Sequence, residues 1–195
     1  MNCRPYPSIL QRAPGETKQA APDGAAFIQQ VIIMAKSQAL AVGSQAPDFR
    51  LPASTGGEIS LGDFRGQQVV VLYFYPKDMT PGCTAEACSF RDLRKEFAAA
   101  GAAILGVSPD PLDSHAKFTE QEHLNFPLLY DESGQVATQY GAYGEKTYMG
   151  KTHLGNFRVT YLIDKAGKIA RVWPEVSVSG HADEVLAAIK ELAGE

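Results

Sequence analysis

Residues 68–75 read QVVVLYFY, and residues 76–83, directly after them, read PKDMTPGC. From Val69 the first stretch is an unbroken run of β-branched, aliphatic and aromatic side chains, which is typical of a central strand covered on both faces. In the second stretch, Thr80 is a favoured N-cap residue and Pro81 suits the first position of a helix. The sequence therefore predicts a buried strand, a short loop and a helix that begins near Pro81.

Strands and helices alternate through the rest of the chain. Apolar residues at helical spacing predict a helix over residues 81–100, which Gly101 would end. Further strands are predicted over residues 102–108, 127–130, 158–163 and 168–173, and further helices over residues 111–123, 135–140 and 181–192. Pro111 would take a first helical position. Residues 143–155 are polar and rich in glycine, so we predict a loop there.

This order of elements predicts an α/β fold. Early strands joined by helices are typical of a parallel sheet, and the last two strands, joined by residues 164–167, would add an antiparallel edge. Thr55, Gly56 and Gly57 separate two short strand-like stretches and predict a further hairpin before the sheet begins. The arrangement resembles the thioredoxin-like fold, with a central mixed sheet flanked by helices and, here, an N-terminal hairpin addition.

The composition argues against several classes of protein. The 195 residues include 18 Lys and Arg against 22 Asp and Glu, which gives a formal net charge of −4. This mild acidity disfavours nucleic acid as a partner, because nucleic-acid affinity comes mostly from clustered cations. No apolar run approaches the ~18 residues of a membrane span, so we expect no membrane partner. The three cysteines, Cys3, Cys83 and Cys88, are too few and uneven for a secreted disulfide framework.

The N-terminal stretch differs from the rest. Residues 1–38 mix prolines with Gln, Ala and Gly, so we predict a poorly ordered extension, followed by one domain over residues 39–195. Cys3 lies in this extension and is expected to be an incidental thiol. An apolar patch at residues 27–34 is preceded by acidic residues and interrupted by glutamines, which disfavours a signal peptide. We expect a cytoplasmic protein; the alternatives are an export or transit role for the extension, or a start at Met34.

Cys83 is the candidate nucleophile. It falls at the third position of the predicted helix, where unpaired backbone amides concentrate, at the carboxyl end of a central strand. A free cysteine is only a few per cent thiolate at neutral pH, and the thiolate is the nucleophile. A helix N-terminus favours an anion by ~0.3–2 kcal/mol, which predicts a reactive thiol. The alternative is that Cys83 is a small buried apolar residue.

Cys88 lies five residues after Cys83. Five residues of intact helix separate two Cα atoms by about 8.7 Å, which exceeds the ~7 Å limit for a disulfide. A Cys83–Cys88 bond would therefore need the first helical turns to unwind, which the small residues at positions 82, 84, 85 and 87 favour. Two thiols at this spacing lack the further His or Cys ligands of a metal site, and we expect no metal and no cofactor.

Residues 75–92, which read YPKDMTPGCTAEACSFRD, resemble the peroxiredoxins, whose motif is Pro-x-x-x-Thr-x-x-Cys. The closer likeness is to the bacterioferritin comigratory protein, or peroxiredoxin Q, subfamily, whose second cysteine lies five residues after the first. The similarity extends from Val42 to the C-terminus and includes residues 144–151 and 158–164. Met79 departs from the small polar or acidic residue common in the subfamily. The resemblance implies a thioredoxin-fold peroxidase that reduces hydrogen peroxide and organic hydroperoxides in antioxidant defence and redox homeostasis.

The resemblance also implies a role for each matching residue. Cys83 would be the peroxidatic cysteine, which becomes a sulfenic acid, and Cys88 the resolving cysteine, which forms an intramolecular disulfide with it. Thr80 would offer its hydroxyl to the sulfur and the peroxide, and Pro76 would shield the pocket. Arg158 would stabilise the thiolate and the leaving oxygen. Thioredoxin or a similar dithiol would reduce the disulfide. Since intramolecular resolution requires no second subunit, we expect a monomer.

Several of these residues also have a purely structural interpretation. Thr80 can cap the helix, Pro76 can end the strand, and Arg158 can be a solvated residue beside an apolar strand. Glu86 is expected to be a first-turn charge that favours the helix dipole. The histidines are scattered along the chain, and surface positions are predicted for all four: His115, His123, His153 and His181.

Two other functions stay open on the sequence. A thioredoxin-type thiol–disulfide oxidoreductase would have Cys-x-x-Cys at this helix start, but Thr80 occupies the first cysteine position. Such a protein would also have a proline before the hairpin strand, where this chain has Arg158 and Val159. A non-catalytic redox sensor or binding module would use a Cys83–Cys88 switch to alter a partner surface. It would be oxidised slowly and stoichiometrically instead of turning over.

Overall fold

The computed structural model describes residues 37–148 and 151–194 of the chain. Residues 1–36 lie outside the described part, so our expectations for most of the extension and for Cys3 stay predictions. Within the described part, the strands are β1 (Arg50–Pro52), β2 (Glu58–Ser60), β3 (Val69–Phe74), β4 (Ala102–Ser108), β5 (Leu128–Tyr130), β6 (Tyr143–Tyr148), β7 (Lys151–Asn156), β8 (Val159–Ile163) and β9 (Ile169–Trp173). The α-helices there are α1 (Pro81–Asp92), α2 (Arg94–Ala99), α3 (Leu112–Glu122), α4 (Gln135–Gln139) and α5 (His181–Ala193).

A mixed five-stranded sheet forms the centre of the fold. Its strand order is β5-β4-β3-β8-β9, in which β3, β4 and β5 are parallel while β8 and β9 run antiparallel to their neighbours. Helical crossovers allow the parallel pairs, whereas the tight turn after β8 makes β9 return antiparallel. β1 and β2 form the predicted hairpin, and Ala53 joins it to Leu129 of β5. This is the predicted α/β arrangement, with a central mixed sheet, flanking helices and an N-terminal hairpin.

Strand β3 is buried along its whole length, as predicted. Its side chains alternate between two apolar clusters, because successive residues of a strand point to opposite faces. Val71 and Tyr73 belong to a cluster that includes side chains of α1, α2 and α5, while Leu72 and Phe74 belong to one that includes side chains of β1 and α4. Both faces of the central strand are therefore covered, and this core holds the end of β3, where the candidate site begins.

Residues 143–155 form a β-hairpin, so the predicted loop is wrong. Strand β6 pairs antiparallel with β7, and Gly144 lies opposite Gly155 in the register. Most side chains of β7 are exposed. A hairpin held by backbone pairing with solvent around it needs no alternation of apolar residues, which is why the sequence pattern did not reveal it.

The predicted helix over residues 81–100 is interrupted at one residue. Leu93 has φ −95° and ψ 10°, so α1 ends at Asp92 and α2 begins at Arg94. Phe90 and Phe97 nevertheless pack in the same core, with ring centroids 5.8 Å apart, so the apolar spacing continues across the break. In α3, Pro111 is the N-cap residue with an extended ψ of 161°, so the helix begins at Leu112, one position after the predicted start, and the predicted first helical position of Pro111 is wrong. None of the described helices is both long enough and apolar enough to cross a membrane.

Candidate active site

The candidate site lies where β3 ends and α1 begins. Thr80 has an extended backbone (φ −86°, ψ 148°) and is the N-cap residue, and Pro81 opens the helix. Cys83 is therefore the third residue of α1, as predicted, and it is buried, with 2% of its surface exposed. Because the first turn of a helix carries unpaired backbone amides, the sulfur lies where an anion is favoured.

Arg158 reaches Cys83 because β3 and β8 pair antiparallel. Phe74, at the end of β3, lies opposite Val159, at the start of β8. Arg158 precedes Val159 directly, and its Nη2 atom donates to Cys83 Sγ at 3.2 Å. Gly82 leaves room for this contact, since a Cβ atom there would lie 3.3 Å from Nη2. Only 18% of the Arg158 side chain is exposed, so its interpretation as a solvated residue is wrong.

Glu86 completes this arrangement, and its expected role as a first-turn charge is wrong. It lies beyond the first turn of α1, is 1% exposed, and forms an ion pair in which Arg158 Nη1 donates to Oε2. Its other carboxylate oxygen, Oε1, has no hydrogen-bond partner among the described residues. Residues three apart share a helix face. The three-residue spacing from Cys83 to Glu86 was therefore the sequence signal that could have predicted a buried Glu86, once Cys83 was taken to be buried.

The buried pair of Glu86 and Arg158 has perturbed acidities. Burial raises the pKa of Glu86 to about 7, although the adjacent guanidinium lowers it. Burial alone would lower the pKa of Arg158, but the charges of Glu86 and Cys83 outweigh this effect and raise that pKa above its ordinary value. Arg158 is therefore a permanent cation between the sulfur and a carboxyl group that titrates near neutral pH.

Glu86 is expected to make the stability of the reduced protein depend on pH. Its pKa of about 7 in the folded protein lies above the ordinary value of 4.5. Between these values the folded chain keeps the proton and the unfolded chain has lost it, so stability is full below the unfolded pKa and falls as pH rises through 7. Chemical denaturation should show wild type losing on the order of 2–3 kcal/mol between pH 5 and pH 8. The Glu86→Gln variant should lose much less of its free energy of unfolding over the same pH range.

The control for this measurement is Glu120→Gln, which removes an exposed carboxylate from α3 and makes the same change in net charge. It should keep the wild-type dependence on pH. Parallel stability curves for wild type and Glu86→Gln would show that the buried carboxyl group does not titrate in this range.

Thr80 and Pro76 lie in the loop that leads into α1. Thr80 occupies the N-cap position, but its side chain forms no hydrogen bond to the backbone of α1. Its Oγ1 donates instead to the Lys77 carbonyl at 3.0 Å. With its proton engaged in this way, the hydroxyl oxygen keeps lone pairs that can accept a hydrogen bond. Pro76 is half-buried and directly follows the buried Tyr75. The shielding role of Pro76 stays a prediction.

Cys88 lies further along the same helix and is 4% exposed. Its Sγ atom is 3.6 Å from Glu122 Oε2 of α3. Since α1 is continuous from Pro81 to Asp92, helix geometry separates the Cα atoms of Cys83 and Cys88 by about 8.7 Å. The two sulfurs are thus not positioned for a disulfide in this conformation.

Lys146 is a further cation near the site, which the predicted loop did not reveal. It lies on β6, and its Nζ atom donates to the Asn156 carbonyl and is 5.7 Å from the centroid of the Phe157 ring. Burial lowers the pKa of Lys146, as does the charge of Arg158, whereas the charge of Cys83 raises it. The β6–β7 hairpin therefore contributes a half-buried cation to the surroundings of the sulfur.

Two of the four histidines are buried, so their predicted surface positions are wrong. His115 is 0% exposed and His181 is 3% exposed. A buried imidazole needs polar partners. Those partners come from elements distant in sequence, since His115 contacts Asp78 in the loop before α1 and His181 contacts Thr160 on β8. Sequence periodicity carries no information about such contacts.

The fold and the site together define a class of protein. A buried thiol at a helix start, a guanidinium that donates to it and a carboxyl group behind that guanidinium are the parts of a thiol-based redox enzyme. Among residues 37–148 and 151–194, no group of three or more His, Cys, Asp or Glu side chains could hold a metal ion.

Comparison with known proteins identifies the family. The AhpC/TSA family model matches residues 42–172. Peroxiredoxin Bcp of Escherichia coli K12 is 49% identical over 154 residues, which is 79% of this chain and 98% of that protein. Peroxiredoxin Bcp of Bacillus subtilis is 43% identical over 152 residues, which is 78% of this chain and 96% of that protein. The chain therefore belongs to the AhpC/TSA family, as a thiol-dependent peroxidase of the bacterioferritin comigratory protein type.

Solved structures show the same fold. The bacterioferritin comigratory protein of Xanthomonas campestris, studied for alkyl peroxide reduction in trapped intermediate and ligand complexes, superposes with a TM-score of 0.70 at 41% identity, covering 74% of this chain and 92% of that chain. Peroxidoxin BcpB of Mycobacterium tuberculosis gives a TM-score of 0.69 at 42% identity, covering 77% of this chain and 97% of that chain. The predicted thioredoxin-like fold and the subfamily resemblance are confirmed.

Proposed function

We propose that the chain reduces hydrogen peroxide and organic hydroperoxides with Cys83 as the peroxidatic cysteine and Cys88 as the resolving cysteine, and that thioredoxin or a similar dithiol regenerates it. The observation that carries this proposal is the 3.2 Å contact from Arg158 Nη2 to the buried Cys83 Sγ at the start of α1. A guanidinium and a helix N-terminus both favour the thiolate, which is the nucleophilic form. The Xanthomonas relative, studied for alkyl peroxide reduction, supports organic hydroperoxides as substrates.

In the first step, the Cys83 thiolate attacks one oxygen of the peroxide. An S–O bond forms as the O–O bond breaks, so the sulfur is oxidised to a sulfenic acid and the peroxide is reduced. The leaving oxygen takes up the proton that the thiol released and departs as water or an alcohol. Arg158, which already donates to Sγ, stabilises the negative charge as it moves from the sulfur to the leaving oxygen.

Thr80 and Pro76 shape the surroundings of this step. The Thr80 hydroxyl donates to the Lys77 carbonyl, so its oxygen accepts the hydrogen bond of the peroxide O–H and orients the substrate. Pro76 covers the sulfenic acid on the side of β3 and limits its contact with solvent. These two roles are part of the proposal.

In the second step, Cys88 attacks the sulfur of the Cys83 sulfenic acid. An S–S bond forms, the S–O bond breaks and water leaves with the thiol proton. Because intact α1 keeps the two sulfurs apart, the first turns of the helix must unwind before this bond can form. The dithiol reductant then attacks the disulfide and restores both thiols. Both cysteines belong to one helix, so resolution requires no second subunit.

The test is hydrogen peroxide turnover coupled to thioredoxin, thioredoxin reductase and NADPH, compared between wild type and Cys88→Ser. The variant should reduce about one equivalent of peroxide and then lose thioredoxin-dependent turnover by at least ~10-fold, because no disulfide forms for thioredoxin to reduce. Mass spectrometry of oxidised wild type should find a Cys83–Cys88 bond. Amide exchange over residues 83–88 should be faster in the oxidised than in the reduced protein.

The control is Ala98→Ser, which introduces a serine at an exposed position of α2 without removing a thiol, and it should keep wild-type turnover. Normal thioredoxin-dependent turnover in Cys88→Ser would remove the resolving role and leave the peroxidase. Slow oxidation of wild type that stops after one equivalent would favour a redox sensor. Unchanged amide exchange on oxidation would contradict the unwinding of α1.

A further inference from the structure

The loop before α1 contains a buried carboxylate that the proposed chemistry does not use. Asp78 is 3% exposed, and a carboxylate stays buried only where hydrogen bonds replace water. Tyr75 Oη donates to its Oδ1 at 2.7 Å, Ser114 Oγ donates to its Oδ2 at 2.8 Å, and His115 Nδ1 lies 2.8 Å from Oδ2. We call these four residues the Asp78 cluster.

The Asp78 cluster joins the loop to two other elements. Ser114 and His115 lie near the start of α3, and His115 Nε2 lies 3.3 Å from the Leu129 carbonyl of β5. The backbone amide of Asp78 donates to Asp110 Oδ2 at 2.9 Å, so the main chain of the loop is held as well. These contacts fix the position of Asp78 against α3 and β5, two residues before Thr80, the N-cap residue of α1.

The backbone between the Asp78 cluster and α1 is strained. Met79 has φ 57°, in the left-handed region that a non-glycine residue seldom adopts. Its side chain is 45% exposed, so burial of that side chain does not account for the conformation. The anchors on either side, namely the Asp78 cluster and the start of α1, hold the turn in place. Without the cluster, the contact of the Asp78 amide with Asp110 and the start of α1 would be left to hold this turn.

We propose that Asp78 is a positioning residue whose cluster keeps the loop and the first turn of α1 folded, and so favours reaction with peroxide over disulfide formation. The catalytic part of this inference rests on the proposed function. The peroxide step needs Thr80 and Cys83 beside Arg158, whereas the bond to Cys88 needs the first turns of α1 to unwind. Contacts present only in the folded loop therefore speed the first step and slow the second.

Hydrogen exchange of the reduced protein tests the structural part. Asp78→Ala removes the three side-chain contacts that the carboxylate makes with Tyr75, Ser114 and His115, and exchange over residues 77–84 should rise by at least ~10-fold. Asp78→Asn keeps an oxygen for Tyr75 and should restore part of the protection. Tyr75→Phe and Ser114→Ala each remove one hydroxyl, leave the carboxylate in place and should raise exchange by ~2–5-fold.

Tyr140→Phe is the matched control for Tyr75→Phe. It also removes one buried tyrosine hydroxyl, which donates to the Pro47 carbonyl at 2.7 Å and lies outside the Asp78 cluster. This variant should leave exchange over residues 77–84 at the wild-type rate. A rise equal to that in Tyr75→Phe would show a general loss of stability and overturn the proposal.

Rapid-quench mass spectrometry after mixing with hydrogen peroxide tests the catalytic part, because it counts the thiol, sulfenic and disulfide forms separately. Asp78→Ala should lower the rate of Cys83 oxidation by ~10-fold and raise the rate of disulfide formation, with Asp78→Asn between it and wild type. A residue that only supports the fold would slow both steps together or neither.

Two results would overturn the role of the Asp78 cluster. One is wild-type exchange over residues 77–84 in Asp78→Asn, Tyr75→Phe and Ser114→Ala. The other is a parallel slowing of both chemical steps in the Asp78 variants. If peroxide instead fails to oxidise Cys83 in wild type, the proposed function fails, and the exchange of the reduced protein still decides whether the cluster holds the loop.

Discussion

Replacing Cys83 with serine is expected to reduce thioredoxin-dependent peroxide turnover by at least ~10³-fold, measured as NADPH oxidation. Serine is close to cysteine in size, so the start of α1 and its contact with Arg158 should persist. A hydroxyl is a far weaker acid than a thiol, and its oxygen cannot be oxidised by peroxide to a species like a sulfenic acid. The loss therefore reports the chemistry of the sulfur and not a disturbed fold.

Cys88→Ser is the control for this experiment, since it makes the same chemical change at another buried position of the same helix. It should still consume about one equivalent of peroxide in a single rapid phase, whereas Cys83→Ser should consume none. Turnover that persists in Cys83→Ser would overturn the proposed function, because the peroxidatic role would belong to another residue.

Arg158→Met should lower the rate constant for oxidation of Cys83 by hydrogen peroxide by ~10²–10³-fold. Methionine retains much of the side-chain length but removes the charge and the donor that lies 3.2 Å from Sγ. Glu86 would then lose its cation and stay protonated at neutral pH, which lets the variant fold with that carboxyl group buried. Arg158→Lys should recover only part of the rate, because an ammonium group does not reproduce the planar fork that contacts Cys83 and Glu86 together.

The matched control is Arg171→Met. Arg171 on β9 is also paired with carboxylates, those of Glu184 and Glu191, but its side chain is 43% exposed. The substitution changes net charge by the same amount and should leave the rate of Cys83 oxidation within ~2-fold of wild type. A rate for Arg158→Met equally close to wild type would contradict a role for the guanidinium in the reaction.

Much of the sheet could be predicted because its strands are short apolar runs. The predicted strand over residues 102–108 matches β4 at both ends, and the buried run that contains β3 was recognisable from its β-branched and aromatic side chains. The β6–β7 hairpin escaped prediction because its stability comes from backbone pairing, which leaves no apolar pattern. The break at Leu93 escaped because apolar spacing continues from α1 into α2.

Some residues of the candidate site could likewise be predicted from the sequence, and others could not. Thr80, Pro81 and Cys83 could be placed from the sequence, because a helix start depends on residues within one turn of it. Glu86 was assigned the wrong surroundings, since its burial depends on what α1 packs against. His115 was predicted to lie at the surface, but it is 0% exposed and its ring contacts Asp78. The sequence pattern around His115 carries no sign of that contact.

The sequence by itself determined the fold class, the position of Cys83 at the third residue of a helix and the five-residue spacing to Cys88. These are local properties, set by periodicity, capping and helix geometry over a few residues. Only the tertiary structure decided that Arg158, 75 residues away, donates to that sulfur and pairs with Glu86. The reason is the antiparallel pairing of β8 with β3, which brings the start of one strand to the end of the other.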